Sequence, residues 1–233
     1  MIKMNDIAEN IQQVRERITK AALDCGRSPQ EIGLVAVTKT VSAEKIRKAA
    51  EAGLDCFGEN YIQEADKKIK DLSGTRISWH FIGHLQSNKA KYAVRLFDLI
   101  HSVDSLKLAK ELNRQAARHG QVQKILIQVN LGGEQTKSGA EKQAAEELIG
   151  DVAGLENLSV RGLMTLPPFF DAPEKVRPYF RQLAELRREI AAKNMANVEM
   201  AELSMGMTGD FETAIEEGAT LVRIGTAIFG ERS

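Results

Sequence analysis

Lys39 closes the apolar run Val35-Ala36-Val37-Thr38, so an amine stands where a buried strand ends. Desolvation at such a place lowers an amine's pKa and frees its lone pair to attack an aldehyde. A lysine that has merely reached solvent past the strand end leaves the same local pattern. Two further places have the composition of an anion seat. Ser204-Met205-Gly206-Met207-Thr208 follows the run 198–203 and precedes a helical segment, and Gly225-Thr226 ends the run 220–226. Glycine lets backbone N–H groups approach an anion closely, and a helix N-terminus offers unpaired N–H groups. Ser204 and Thr226 add hydroxyls. Turn glycines and helix caps read alike at either place alone, but the two together favour a phosphate seat. Arg223 interrupts LVRIG two residues before Gly225. A charge inside an apolar strand requires a partner or a cavity. A structural ion pair meets that requirement as well as a ligand does.

The elements that must hold these residues follow from short apolar runs alternating with longer amphipathic segments. A first helix over about 4–24 sets Ile7, Ile11, Val14, Ile18 and Ala22 on one face. Strands are predicted at 33–39, 54–57, 77–82, 97–103, 122–130, 158–165, 198–204 and 220–226. Between them, helices are predicted at about 42–53, 60–71, 87–96, 105–119, 140–153, 174–193 and 208–218, the first capped by Ser42. Alternating units of this kind force parallel strands through crossover helices. Eight of them close into a (β/α)8 TIM-type barrel, here with an extra N-terminal helix. An open doubly wound sheet is the alternative arrangement. In such a barrel the active face lies at the strand C-termini, and the loops after strands seven and eight commonly seat a phosphate. Lys39 then faces a phosphate seat across one barrel mouth. That combination points to pyridoxal phosphate (PLP), with its aldehyde on Lys39 and its phosphate on the two loops. Arg223 would lie beside the pyridine nitrogen. Arginine keeps its proton, so it would hold that nitrogen unprotonated and leave the ring a poor electron sink.

Composition is consistent with this reading. The chain has 233 residues, 43% hydrophobic and 27% charged, enough for one full core read as a single domain over 1–233. Lys+Arg and Asp+Glu both number 32, so no net charge marks a nucleic-acid or anionic-membrane partner. Cys25 and Cys56 form no disulfide framework and read as reduced, buried thiols. The N-terminal segment is charged throughout, unlike a signal peptide or anchor, and a cytoplasmic location is expected.

The motifs VAVTK with Lys39, FGENYIQE (57–64), WHFIGHLQSNK (79–89), GLMTLPP (162–168), ELSMGMTGDFETAIEEG (202–218) and VRIGTAIFG (222–230) span nearly the whole chain. In these it resembles the pyridoxal phosphate homeostasis protein family, relatives of the alanine racemase barrel (PLP fold type III). The resemblance implies a Schiff base on Lys39, phosphate contacts from Ser204, Gly225 and Thr226, and Met205, Gly206 and Met207 lining the phosphate loop. It also implies Arg223 at the ring nitrogen, with Asn60 and Met164 nearby. Thr208 stands where the family frequently has serine, which keeps the hydroxyl. The implied role is that of a non-catalytic carrier or buffer of the vitamin, a monomer with PLP-dependent apo-enzymes as recipients, guarding amino-acid balance.

Two rival activities share these residues. Racemisation needs two opposed bases. Lys39 supplies one, but the second in the racemases is a tyrosine from a C-terminal β-domain, and this chain ends at Ser233 with only Tyr61, Tyr92 and Tyr179. A sugar-phosphate isomerase or aldolase using Lys39 on its substrate would present the same phosphate seat. His80 and His84 read as structural and no metal site is expected. Lys137 reads as a solvated lysine, with a second phosphate site as the alternative, and Glu59 as a loop charge or an acid/base.

Overall fold

In the computed structural model, which describes residues 6–132, 138–168 and 170–231, the apolar runs become parallel strands. They are β1 (Gly33–Val37), β2 (Cys56–Glu59), β3 (Ser78–Phe81), β4 (Leu99–Val103), β5 (Gln123–Asn130), the two-residue β6 (Ala140–Glu141), β7 (Leu158–Met164), β8 (Val198–Ser204) and β9 (Leu221–Ile224). The ladder runs β4-β3-β2-β1-β9-β8-β7-β5, and β4 pairs again with β5, which closes an eight-stranded barrel. β6 lies outside the closed ring, added alongside β5. All pairings are parallel, and β9 joins β1 with Arg223 opposite Val35.

The helices are α1 (Ile7–Asp24), α2 (Ala43–Glu51), α3 (Ile62–Asp71), α4 (Ala90–Leu96), α5 (Leu106–Arg118), α6 (Lys142–Ala153), α7 (Arg177–Ala191), α8 (Phe211–Glu216) and α9 (Thr226–Phe229). Ser42 caps α2 by accepting from the Lys45 N–H, as its sequence position predicts. The extra helix α1 buries Ile11, Val14, Ile18 and Ala22. It packs on α2, α8 and α9, and Asn10 donates to the Ile228 carbonyl. Helix-facing strand residues such as Ala36, Phe57, Ile100, Ile125 and Leu203 join one continuous core with the helices. The alternate residues Val35, Leu99, Leu126, Met164 and Leu221 form a second, smaller cluster inside the barrel.

Several boundaries differ from the sequence reading for local reasons. The second strand starts at Cys56, not Leu54, because Gly53 (φ +88°) and Leu54 finish the α2 C-terminal turn, Leu54 N–H reaching the Ala49 carbonyl. Its end therefore moves to Glu59, which places Asn60 just past the strand. The last strand stops at Ile224 because Thr226 already opens α9. Residues 208–210 form a turn closed by Asp210, so α8 starts at Phe211. Cys25 is exposed in the turn after α1, contrary to the buried thiol expected; Cys56 is half-buried.

Candidate functional site

β1 delivers Lys39 to the barrel mouth through a tight turn in which the Val41 N–H bonds the Thr38 carbonyl. Lys39 is half-buried and lines a cleft of about 300 Å³ with Val37, Ser42, Lys45, Gly225 and Thr226. Lys39 and the Gly225-Thr226 pair, 186 positions apart in the chain, thus share one cavity.

The loop after β8 is shaped by Gly206. Its φ of +90° suits glycine, and a Cβ there would lie 2.6 Å from Ala214 Cβ and 2.9 Å from Phe211 Cα. The loop therefore rests directly on α8. Its carbonyl accepts from the Arg223 N–H, which ties it to β9. Met205 is fully buried, while Met207 is exposed and donates its N–H to Asp210 Oδ1 at 2.6 Å. Burial pushes the Asp210 carboxyl above its ordinary value. Thr226 Oγ1 and Thr208 Oγ1 are 3.2 Å apart, so two hydroxyls from the loops after β8 and β9 meet at the mouth. The first N–H groups of α9, which begins at Thr226, have no carbonyl within their own helix. A Cβ at Gly225 would sit 3.4 Å from Val37 Cβ, an ordinary contact distance.

Arg223 is buried in the barrel interior. Among the described residues no carboxylate lies within ion-pair distance of it, although the Asp210 charge acts on it from farther off. Nη1 donates to Ser204 Oγ, and Nη2 donates to the Thr165 carbonyl at 2.9 Å. The structural ion pair considered for it is therefore absent from the described residues, and burial lowers its pKa to about 10. The fully buried Ser204 hydroxyl is also 2.9 Å from His101 Nδ1, and His101 Nε2 is 3.0 Å from His80 Nδ1. Donor logic fixes the direction of this chain. Arginine can only donate, so Ser204 Oγ accepts from it and passes its own proton toward His101 Nδ1. That leaves the His101 proton on Nε2, aimed at His80. Burial pushes both imidazoles down, His80 to about 4 and His101 well below its ordinary value, so both are neutral.

Met164, the last residue of β7, is fully buried in the inner apolar cluster. Asn60 sits at the end of β2 with its Oδ1 buried and without a donor among the described residues. Lys39, Gly225 and Thr226 thus share the cleft; Gly206, Met207 and Thr208 shape the adjoining loop; Ser204, Arg223 and Met164 lie inside the barrel. His84 is exposed beside Ser138, away from His80, and no metal-binding cluster occurs among the described residues. Lys137 lies outside the described residues. Two groups were missed from the sequence. His101 carries the same signal as Arg223, a polar residue inside the apolar strand LIHSV. Lys68, which bonds the Thr38 carbonyl next to Lys39, gave no signal, because one helical lysine looks like another. Glu59, read as a loop charge or an acid/base, ends β2 fully buried and ion-paired to Lys68.

The alanine racemase N-terminal domain family matches residues 2–233. The chain is 49% identical to the pyridoxal phosphate homeostasis protein of Aquifex aeolicus (strain VF5), over 96% of this chain and 97% of that one. It is 45% identical to the protein of the same name from Escherichia coli (strain K12), over 98% of each. Among solved structures, PipY of Synechococcus elongatus PCC7942 with PLP bound superposes with a TM-score of 0.85 at 36% identity, covering 96% of this chain and 100% of that one. The chain belongs to the alanine racemase N-terminal domain family and, within it, to the pyridoxal phosphate homeostasis proteins.

Proposed function

We propose that this protein binds PLP at the C-terminal mouth of its barrel, with Lys39 as the Schiff-base residue, and acts in PLP homeostasis as a non-catalytic carrier. The observation that carries the reading is the meeting of three groups around one mouth. They are a half-buried lysine in a cleft, a pair of threonine hydroxyls contributed by the two loops, and a buried arginine in no contact ion pair among the described residues. These residues fit the cofactor. The orphaned Asn60 Oδ1 is a ready acceptor at the same mouth.

Bound there, PLP supplies an aldehyde for reversible capture by an amine and a ring able to withdraw electrons. Lys39 Nζ would be the amine held at the mouth for that reversible capture, with loss of water. Thr208 and Thr226 would hold the phosphate together with Gly225 and the Met205–Met207 loop. Arg223, a fixed donor held by Ser204 and Thr165, would keep a ring nitrogen placed beside it unprotonated. That weakens the electron withdrawal that proton abstraction at a substrate carbon requires. A racemase also needs a second base. Tyr92 lies on α4 and Tyr179 on α7, in the outer layer, and Tyr61 is 60% exposed at the start of α3. We place the protein in the cytoplasm as a monomer that hands PLP to apo-enzymes.

The test is a visible absorbance spectrum of the purified protein, repeated after borohydride reduction with mapping of the modified peptide. A yellow protein whose pyridoxyl label maps to Lys39 supports the reading. A protein that stays colourless and unlabelled with excess PLP overturns it and favours a sugar phosphate as the ligand.

A further inference from the structure

The residue after Lys39 is held in a conformation its side chain disfavours. Thr40 has φ +65°, while Lys39 is absent from the residues with positive φ. With the Thr38 carbonyl bonded to the Val41 N–H, residues 38–41 form a turn of type II geometry. The third position of such a turn belongs to glycine or asparagine; a β-branched residue there is strained. Strain of this kind persists only where surroundings over-determine it.

The surroundings do so from one side. Lys68 on α3 is buried, and its Nζ donates to the Thr38 carbonyl at 2.5 Å, to Glu59 Oε1 at 2.7 Å and to Glu64 Oε1 at 2.6 Å. All three of its donors are used. Glu64, one turn before Lys68, accepts the Thr40 N–H at 2.6 Å. Glu59, fully buried at the end of β2, accepts the Thr38 hydroxyl at 2.6 Å. The Thr38 N–H also bonds the Gly58 carbonyl, but the side-chain contacts from Glu59, Glu64 and Lys68, on both sides of Lys39, converge on one ammonium. Glu59 and Glu64 share that single cation, an expensive arrangement that a surface turn does not need.

We infer that Lys68, with Glu59 and Glu64, forms a clamp that holds the strained 38–41 turn and so positions the Lys39 amine at the barrel mouth. Lys68 is a positioning residue: it acts through the Thr38 carbonyl and the two carboxylates. This rests on Lys39 being the residue that captures PLP. The clamp explains why a threonine is tolerated at position 40. A relaxed turn would swing Lys39 about its two flanking peptide units, away from the phosphate seat at Gly225 and Thr226.

The experiment compares PLP affinity, by visible titration with borohydride mapping of Lys39, in the full chain and in variants whose fold is checked by circular dichroism. Lys68→Met is expected to weaken capture by about tenfold or more, the scale of releasing one strained residue. Adding Thr40→Gly to that variant removes the strain and is expected to recover most of the loss, which a general loss of stability would not permit. Glu64→Ala is expected to weaken capture, and Glu64→Gln, which keeps an acceptor oxygen, to recover most of that loss. Should Lys68→Met not fold, the two Glu64 variants decide alone. A folded Lys68→Met protein with affinity within about twofold of the parent overturns the clamp, as does failure of Thr40→Gly to rescue it. In either case a labelled Lys39 in the parent leaves the functional reading intact. A parent protein without that label overturns the functional reading instead, and the clamp with it.

Discussion

The buried pair His80–His101 makes acid sensitivity a sharp prediction. Both imidazoles are neutral in the folded protein, because burial pushes His80 to about 4 and His101 well below its ordinary value. Asp98 opposes this for His80, while Lys124 adds to it; His80 and Arg223 add to it for His101. In the unfolded chain both titrate near pH 6.5, at the ordinary value of about 6.5 for histidine. Below that pH the unfolded state binds more protons than the folded one, so stability falls as pH falls. The contribution is fully present above about pH 6.5 and is lost progressively toward the folded pKa values. Each histidine removes about 1.4 kcal/mol per pH unit, so from about pH 7.5 to pH 5 the pair removes roughly 4 kcal/mol. That is a large share of the roughly 5–15 kcal/mol typical of a folded domain. Glu59 and Asp210, both raised by burial, work in the opposite sense, so a comparison of proteins is needed. Urea unfolding of the parent and of His80→Gln/His101→Gln, followed by circular dichroism across this pH range, isolates the pair. The parent is expected to lose about two protons' worth of slope more than the double variant. Equal slopes in the two proteins would refute the assignment of neutral, acid-resistant imidazoles.

Three further outcomes are expected. Gly206→Ala must place a Cβ 2.9 Å from Phe211 Cα at φ +90°, and is expected to cost about 2–4 kcal/mol. A thermal melt should drop by roughly 5–15 °C, and a change under about 2 °C would contradict the packing argument. Ser204→Ala leaves Arg223 Nη1 and His101 Nδ1 without their shared partner and is expected to cost roughly 2 kcal/mol. Its effect should be non-additive with His101→Phe by about 0.5 kcal/mol or more in a double-mutant cycle; strict additivity would break the proposed chain. Arg223→Leu leaves the buried Ser204 hydroxyl and Thr165 carbonyl without their donor, so it is expected to cost roughly 2 kcal/mol of stability while PLP affinity falls about tenfold or more. Unchanged affinity by visible titration would remove Arg223 from the site.

The racemase comparison turns on chemistry more than on shape. The same barrel mouth can serve a catalyst or a carrier, and the difference lies in where second bases and ring-nitrogen partners stand. Here the ring-nitrogen candidate is Arg223, and the hydrogen bonds that fix it run to the Ser204 hydroxyl and the Thr165 carbonyl, not to a carboxylate. That arrangement favours holding the cofactor over activating it.

Local chemistry determined much of this protein in advance. Runs such as GLVAV and QKILIQV, alternating with amphipathic helices, dictate parallel strands joined by crossover helices, which leaves a barrel or an open doubly wound sheet. Lys39, Gly206, Arg223, Gly225 and Thr226 were legible because each breaks the pattern around it: a charge in an apolar strand, or a glycine at a strand end. Tertiary structure alone decided what those residues touch. Whether Arg223 meets a carboxylate depends on strands β7 and β8, which bring Thr165 and Ser204 to it across the closed ring. His101 reaches Ser204 only because strands far apart in sequence face each other inside the barrel. Lys68 is one of several helical lysines until α3 docks and buries it against the Thr38 carbonyl. Sequence patterns report periodicity and therefore which face a residue occupies. The partner on that face is set by closure of the sheet, which no local pattern encodes.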